Sequence, residues 1–212
     1  MQPLRTSVRH AFWIALCLLV PVAAIPALAP AAQAGGRLAG RRGWQLVDPF
    51  IGTSGTPTGG PIDTFPGASL PFGMIQWSPD TPSEPAGGGY NYTDRVVTGF
   101  GLTHLSGPGC SVFGDIDILP EAGPTPKPWD AVQPFSHASE HAHPGWYAVT
   151  IGNPPIQVRL TVTKRTGLGQ FIFPPHIRGR MIFKVSSDQA GVTQAHFKVV
   201  GAREVTGEAT SG

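Results

Sequence analysis

Ile156-Gln157-Val158-Arg159-Leu160-Thr161-Val162-Thr163 sets Ile156, Val158, Leu160 and Val162 at alternate positions, with polar residues between them. A period of two belongs to a β-strand with one face in a core and the other in water. Asn153-Pro154-Pro155 supplies the turn that precedes it. Outward from this segment the texture repeats. Trp146–Ile151, Gln170–Phe173, Met181–Val185 and Ala195–Val200 are short runs rich in aromatic and β-branched residues. Turns at Thr166-Gly167, Pro174-Pro175 and Gln189-Ala190-Gly191 separate them. This spacing predicts an all-β chain built as an antiparallel β-sandwich. Composition agrees: 28 glycines and 23 prolines in 212 residues are about twice the usual combined share of roughly 12%. Long helices do not tolerate that density of breakers, so an all-α fold is excluded. Eleven Phe, five Trp and three Tyr still provide ample core material and argue against disorder.

The N-terminus stands apart. Arg5, Arg9 and His10 precede an apolar run from Ala11 to Val20, and a Pro/Ala stretch then ends in Ala32-Gln33-Ala34. A basic start, an apolar middle and a small-residue cleavage site predict a signal peptide over residues 1–34, with cleavage near Ala34. The apolar run is half the length of about 20 residues that a membrane-spanning helix needs. The expected localisation is secreted or periplasmic, with no membrane attachment after cleavage. Gly35 to Gly43 reads as a flexible link, and residues 44–212 as the folded domain. Without Arg5 and Arg9 the 15 basic residues fall to 13, against 13 acidic ones. A neutral chain with no Lys/Arg cluster lacks the electrostatic footprint of a nucleic-acid binder. Cys110 is then the one cysteine left, so stability must come from a core and not from an internal disulfide.

The region from Val47 to Pro120 carries long loops between short strands expected at Met74–Trp77, Gly99–Thr103 and Asp117–Leu119. These loops contain Thr64-Phe65-Pro66-Gly67, Gly89-Tyr90-Asn91-Tyr92 and His104-Leu105-Ser106-Gly107. Glycine-rich loops with His, Ser and aromatic rings on a β scaffold are where sites sit. Rings with polar tips, interleaved with Asn91, Asp94 and Thr103, suit a sugar, whose C–H faces stack while its hydroxyls find partners. Trp77 and Phe100 read as core. Other patterns carry less. His137, His141 and His143 around Glu140 hold donor atoms that zinc uses, yet the stretch reads as a solvated loop before the strand at Gly145, and no zinc site is expected. Asp115 and Asp117 would share one side of a strand, too close to flank a glycosidic bond; Gly114-Asp115 reads instead as a turn. Ser106, His104 and Asp115 lack the G-x-S-x-G elbow of a hydrolase triad. Gly52–Gly60 lacks the G-K-[ST] of a phosphate loop, and the sequon Asn91-Tyr92-Thr93 is a three-residue match.

In order along the chain, Val47-Asp48-Pro49-Phe50-Ile51-Gly52-Thr53, Thr64-Phe65-Pro66-Gly67-Ala68, Pro71-Phe72-Gly73-Met74 and Ser78-Pro79-Asp80-Thr81 resemble the opening of glycoside hydrolase family 92. The likeness continues through Gly89-Tyr90-Asn91-Tyr92, Gly99 to Gly107, Phe135-Ser136-His137, Pro144-Gly145-Trp146-Tyr147 and Arg165-Thr166-Gly167. It runs from about Trp44 to the end. Where relatives often carry a Trp shortly before the Gly-Tyr word, this chain has Ala86-Gly87-Gly88.

The resemblance implies a secreted, calcium-dependent exo-α-mannosidase of the inverting kind, with a galactose-mutarotase-like sandwich packed on a C-terminal (α/α)₆ barrel. In that family the acid, the base and much of the calcium shell belong to the barrel. The expectation is therefore a C-terminally incomplete sandwich with no catalytic residue of its own and no tightly held Ca2+. It would lend carbohydrate-binding loops to α-mannoside glycans: Thr64, Phe65, Pro66, Gly67, Tyr90, Tyr92, His104, Ser106 and Gly107. The alternatives are a free-standing carbohydrate-binding sandwich without catalysis, and a structural fragment with no activity.

Overall fold

The computed structural model describes residues 43–54, 63–83, 86–107, 111 and 114–212. The predicted leader, nearly all of the link, most of Gly52–Gly60, and Cys110 lie outside the described residues.

The chain forms strands β1 Ala68–Ser69, β2 Gln76–Asp80, β3 Val96–Val97, β4 Gly99–Gly101, β5 Asp117–Ala122, β6 Gln133–Pro134 and β7 His141–His143. It continues with β8 Trp146–Ile151, β9 Ile156–Val162, β10 Gly167–Ile172, β11 Gly179–Lys184, β12 Val192–Val199 and β13 Val205–Ser211. The only helical elements among the described residues are 3₁₀ turns at Gly43–Leu46, Pro128–Asp130 and His137–Ser139. No helix among them is long and apolar enough to cross a membrane.

All strand pairings are antiparallel. The main sheet runs β10-β9-β8-β7, and the others are β1-β2-β4, β11-β5, β12-β13 and β3-β6. In β9, Ile156, Val158, Leu160 and Val162 are buried while Gln157, Arg159 and Thr161 are exposed, as the alternation predicts. Their inward side meets Tyr147, Val149 and Ile151 of β8 and, from the opposing layer, Ala68, Trp77, Phe100 and Leu119. Trp77 lies in this core with its indole N–H donating to the Phe100 carbonyl at 3.1 Å. Gly167 and Gly169 of β10 make room for it: a Cβ on either would come within 2.6 Å of the indole ring.

One expectation changes. The stretch read as a solvated loop, His137–His143, is a 3₁₀ turn followed by β7, which pairs with β8 through His141↔Ala148 and His143↔Trp146. Ser136 caps the turn by accepting from the Ala138 N–H, and Glu140 points inward, where hydroxyl donors compensate the burial of its carboxylate. Asp115 lies outside the strand, as the sequence predicts: Ile116 after it has φ +55°, and Asp117 begins β5.

Candidate functional site

Strand β2 ends at Asp80, whose carboxylate sits in the interior at the base of the loops. One oxygen faces His104 Nε2 at 3.0 Å, and the other accepts the Gly101 N–H at 3.1 Å. The second ring nitrogen of His104, Nδ1, donates to the Gln76 carbonyl at 2.8 Å. Both nitrogens face acceptors, so the imidazolium form satisfies the site. Burial works against that charge, yet the Asp80 carboxylate and the Gln76 carbonyl outweigh it, and the His104 pKa rises above its ordinary value. Gly89, at φ +68°, closes over the pair, because a Cβ there would lie 1.9 Å from Asp80 Oδ1. Phe65 leans on the His104 ring with centroids 5.0 Å apart.

The next residue, Tyr90, anchors a second buried cluster. Its hydroxyl donates to Glu140 at 2.9 Å, Tyr147 donates to the same carboxylate at 2.5 Å, and His137 Nδ1 meets it at 2.5 Å. Burial first, and the Glu140 charge second, push both tyrosine hydroxyls far above their usual range, so they remain protonated donors. Tyr92 stacks on His137 at 4.0 Å between centroids. The Gly87–Tyr92 loop is thus fastened on both sides, by Asp80–His104 under Gly89 and by Glu140 under Tyr90. Backbone bonds lace it to its neighbours, Leu105 N–H to the Gly87 carbonyl and Tyr92 N–H to the Thr53 carbonyl, while Gly107 N–H to the Asp63 carbonyl joins the other two loops. Gln189 accepts the Gly87 N–H at 2.7 Å.

The three loops singled out in the sequence therefore do converge, but their residues divide into two groups. Ser106, Gly107 and Tyr92 are exposed and Thr64 and Phe65 half-buried. Pro66, Gly67, Tyr90 and His104 are buried beneath them. Tyr90, expected at the sugar, spends its hydroxyl on Glu140 in the core. With both ring nitrogens engaged, His104 offers none to Ser106, which disposes of the triad geometry. Asn91 is buried, and its side-chain oxygen accepts from the Thr93 N–H and hydroxyl, so the sequon is a local turn. Sequence reasoning missed Asp80 and Glu140 as the fastening residues. The available signal was a carboxylate inside otherwise uncharged loop words, with glycines opposite at Gly89 and Gly101.

The histidines of the 137–143 stretch diverge. His137 faces Glu140, whereas His143 stacks on Trp146 at 4.9 Å and contacts Trp44. Calcium takes six to eight oxygen ligands, and among the described residues no group of three or more His, Cys, Asp or Glu side chains is placed to hold a metal. Asp115, beside Asp188, has its pKa raised, first by partial burial and then by that neighbour. Among the described residues these side chains do not by themselves make up a calcium shell.

Residues 46–212 match the Glycosyl hydrolase family 92 N-terminal domain. The chain belongs to glycoside hydrolase family 92. A family 92 glycosyl hydrolase, ccman5, superposes with a TM-score of 0.69 at 26% identity, over 80% of this chain and 24% of its own. A family 92 alpha-mannosidase of Bacteroides thetaiotaomicron gives 0.67 at 28% identity, over 78% of this chain and 23% of that one. An uncharacterized secreted glycosidase of Arthroderma benhamiae is 32% identical over 138 residues, which are 61% of this chain and 17% of the relative. The chain thus spans about a quarter or less of the length of these family 92 proteins.

Proposed function

We propose that this chain is the N-terminal sandwich of an exported, exo-acting α-mannosidase. Its Thr64–Gly67, Tyr92 and His104–Gly107 loops shape a mannoside pocket whose acid and base reside in a further (α/α)₆ domain. The match of residues 46–212 to the family's N-terminal domain carries this reading, because the solved Bacteroides relative is an alpha-mannosidase. The local chemistry supports the division of labour. Inverting hydrolysis needs one carboxyl group to protonate the leaving oxygen and a second, about 6.5–9.5 Å away, to activate water. Asp80 is committed to His104 and Gly101, and Glu140 to Tyr90, Tyr147 and His137. What these residues do is hold loops rigid, so that exposed groups meet the sugar in a fixed geometry. Calcium would supply a Lewis acid for sugar hydroxyls from the further domain, and the leader would direct export.

The test uses the full-length protein. It should release mannose from α-1,2-mannobiose with millimolar calcium, and His104→Ala should lower kcat/KM more than tenfold, or about 1.4 kcal/mol of transition-state stabilisation. No mannose release by the folded protein refutes the activity. A folded His104→Ala enzyme within twofold of the parent refutes the role given to the loops.

A further inference from the structure

Of the rings in the three loops, Tyr90 is buried and Phe65 is half-buried against His104, whereas Tyr92 is 38% exposed. Exposure does not leave that ring loose. The Tyr92 N–H donates to the Thr53 carbonyl at 2.8 Å, and Phe50 meets the ring edge-on at 5.8 Å. His137 lies flat against it, with centroids 4.0 Å apart and planes 19° from parallel. The close stack on the imidazole is what sets the plane of the phenol.

His137 is itself held from three sides. Its backbone lies in the 3₁₀ turn capped by Ser136, where Ser139 N–H returns to the Ser136 carbonyl and Glu140 N–H to the His137 carbonyl. Phe135 packs edge-on against the imidazole at 5.0 Å. Nδ1 donates to the Glu140 carboxylate at 2.5 Å, since an ionised carboxylate only accepts. The same carboxylate receives the Tyr90 hydroxyl at 2.9 Å. One buried charge therefore holds two residues of the same loop, Tyr90 directly and Tyr92 through His137. Tyr90 faces inward and Tyr92 outward, so the first anchors the loop and the second is what the loop presents.

We infer that Tyr92 is the platform on which one pyranose of the mannoside stacks, and that His137 is its positioning residue, acting through the stack and touching no sugar itself. The inference rests on the proposed mannoside pocket and names within it the ring that grips the sugar and the residue that aims that ring. A flat ring with a polar tip suits the C–H face of a pyranose. Because the stack and the Phe50 edge fix the ring beforehand, little side-chain freedom is lost when the sugar arrives. Loss of such a contact weakens substrate and transition state alike, so it raises KM and leaves kcat in place.

The experiment compares Tyr92→Ala, His137→Phe and His137→Leu. Phenylalanine keeps a flat ring against Tyr92 and leucine does not. Both withdraw one donor from Glu140, which retains Tyr90 and Tyr147, so both should fold with similarly lowered melting temperatures. In the 212-residue chain, NMR reads the stack: the Tyr92 ring protons, assigned by their loss in Tyr92→Ala, should lie upfield in the parent and in His137→Phe but not in His137→Leu. In the full-length protein, KM for α-1,2-mannobiose and the calorimetric Kd for a thio-linked mannobiose that resists hydrolysis should rise about tenfold in Tyr92→Ala and about fivefold in His137→Leu, with kcat within about twofold. His137→Phe should stay within about twofold of the parent in KM and Kd. A merely structural role would make affinity follow melting temperature in both His137 variants, whereas positioning moves it in the leucine variant alone. Parental affinity in Tyr92→Ala, equal affinities in the two His137 variants, or a Tyr92 ring shift that survives leucine overturns the inference. Tyr92-dependent binding of the thio-sugar without mannose release refutes the hydrolase reading and upholds the platform. Mannose release with parental KM in Tyr92→Ala does the reverse, and neither binding nor release overturns both.

Discussion

Asp80 shows how one buried charge can organise a loop cluster. Removing one partner of a buried ion pair strands the other, at a cost of about 3–5 kcal/mol. Asp80→Asn should therefore destabilise the chain by about 3 kcal/mol at pH 6, measured by urea unfolding. The pH dependence follows from the raised His104 pKa. A histidine whose folded pKa exceeds its unfolded value contributes stability that is complete below about 6.5, and that contribution is lost as pH rises through the folded value. The gap between parent and Asp80→Asn should thus narrow on the alkaline side. A gap that widens with pH would mean that His104 is neutral in the fold. Gly89 makes a second residue-scale case, since alanine there would combine φ +68° with a contact of 1.9 Å to Asp80 Oδ1. The backbone term alone is about 1–2 kcal/mol. Gly89→Ala should exceed that value in the same unfolding experiment, whereas a loss below 0.5 kcal/mol would show that the loop shifts freely.

At the scale of elements, the strands whose patterns were strongest are the ones the sequence delimits best. Trp146–Ile151 is reproduced to the residue and Ile156–Val162 nearly so, because alternation and a Pro-Pro turn leave one register available. Gln170–Phe173 begins three residues earlier in the structure, at Gly167, because Gly167 and Gly169 look like turn residues but serve to admit Trp77. His137–His143 escaped for a different reason. A polar run reads as loop unless its buried partners are known, and Tyr90 and Tyr147 lie tens of residues away or across a turn. The loops that converge at the site were legible as words, but not which of their residues face out. That division depends on Asp80 and Glu140, whose burial no local pattern announces. The β12–β13 hairpin has another status: its strands are almost wholly exposed, with Phe197 against Phe183 at 5.4 Å as a ring contact to the rest. Hydrogen bonds on an exposed hairpin open more readily than those of a core sheet. Amide exchange in the 212-residue chain should be about a hundredfold faster across β12–β13 than across β8–β9. Equal protection would indicate packing that covers the hairpin in solution.

For the whole molecule, the distribution of carboxylates decides what this chain does unaided. The buried carboxylates at the candidate site, Asp80 and Glu140, are each held by two or more donors. A carboxylate so occupied has little remaining capacity to pass a proton to a leaving oxygen. Asp115 and Asp188 interact directly, and partial burial together with that neighbour raises the Asp115 pKa. Their separation is nevertheless that of a hydrogen bond, with no room for water and a sugar between them, whereas inversion needs about 6.5–9.5 Å. Neither pair can protonate the leaving group on one face of a ring and deprotonate water on the other. The 212-residue chain by itself should therefore release no mannose from α-1,2-mannobiose above a buffer control, with millimolar calcium present and across pH 4–8. Turnover that disappears in Asp115→Asn would place the chemistry at the Asp115–Asp188 pair. Turnover that disappears in Glu140→Gln would place it at the tyrosine cluster.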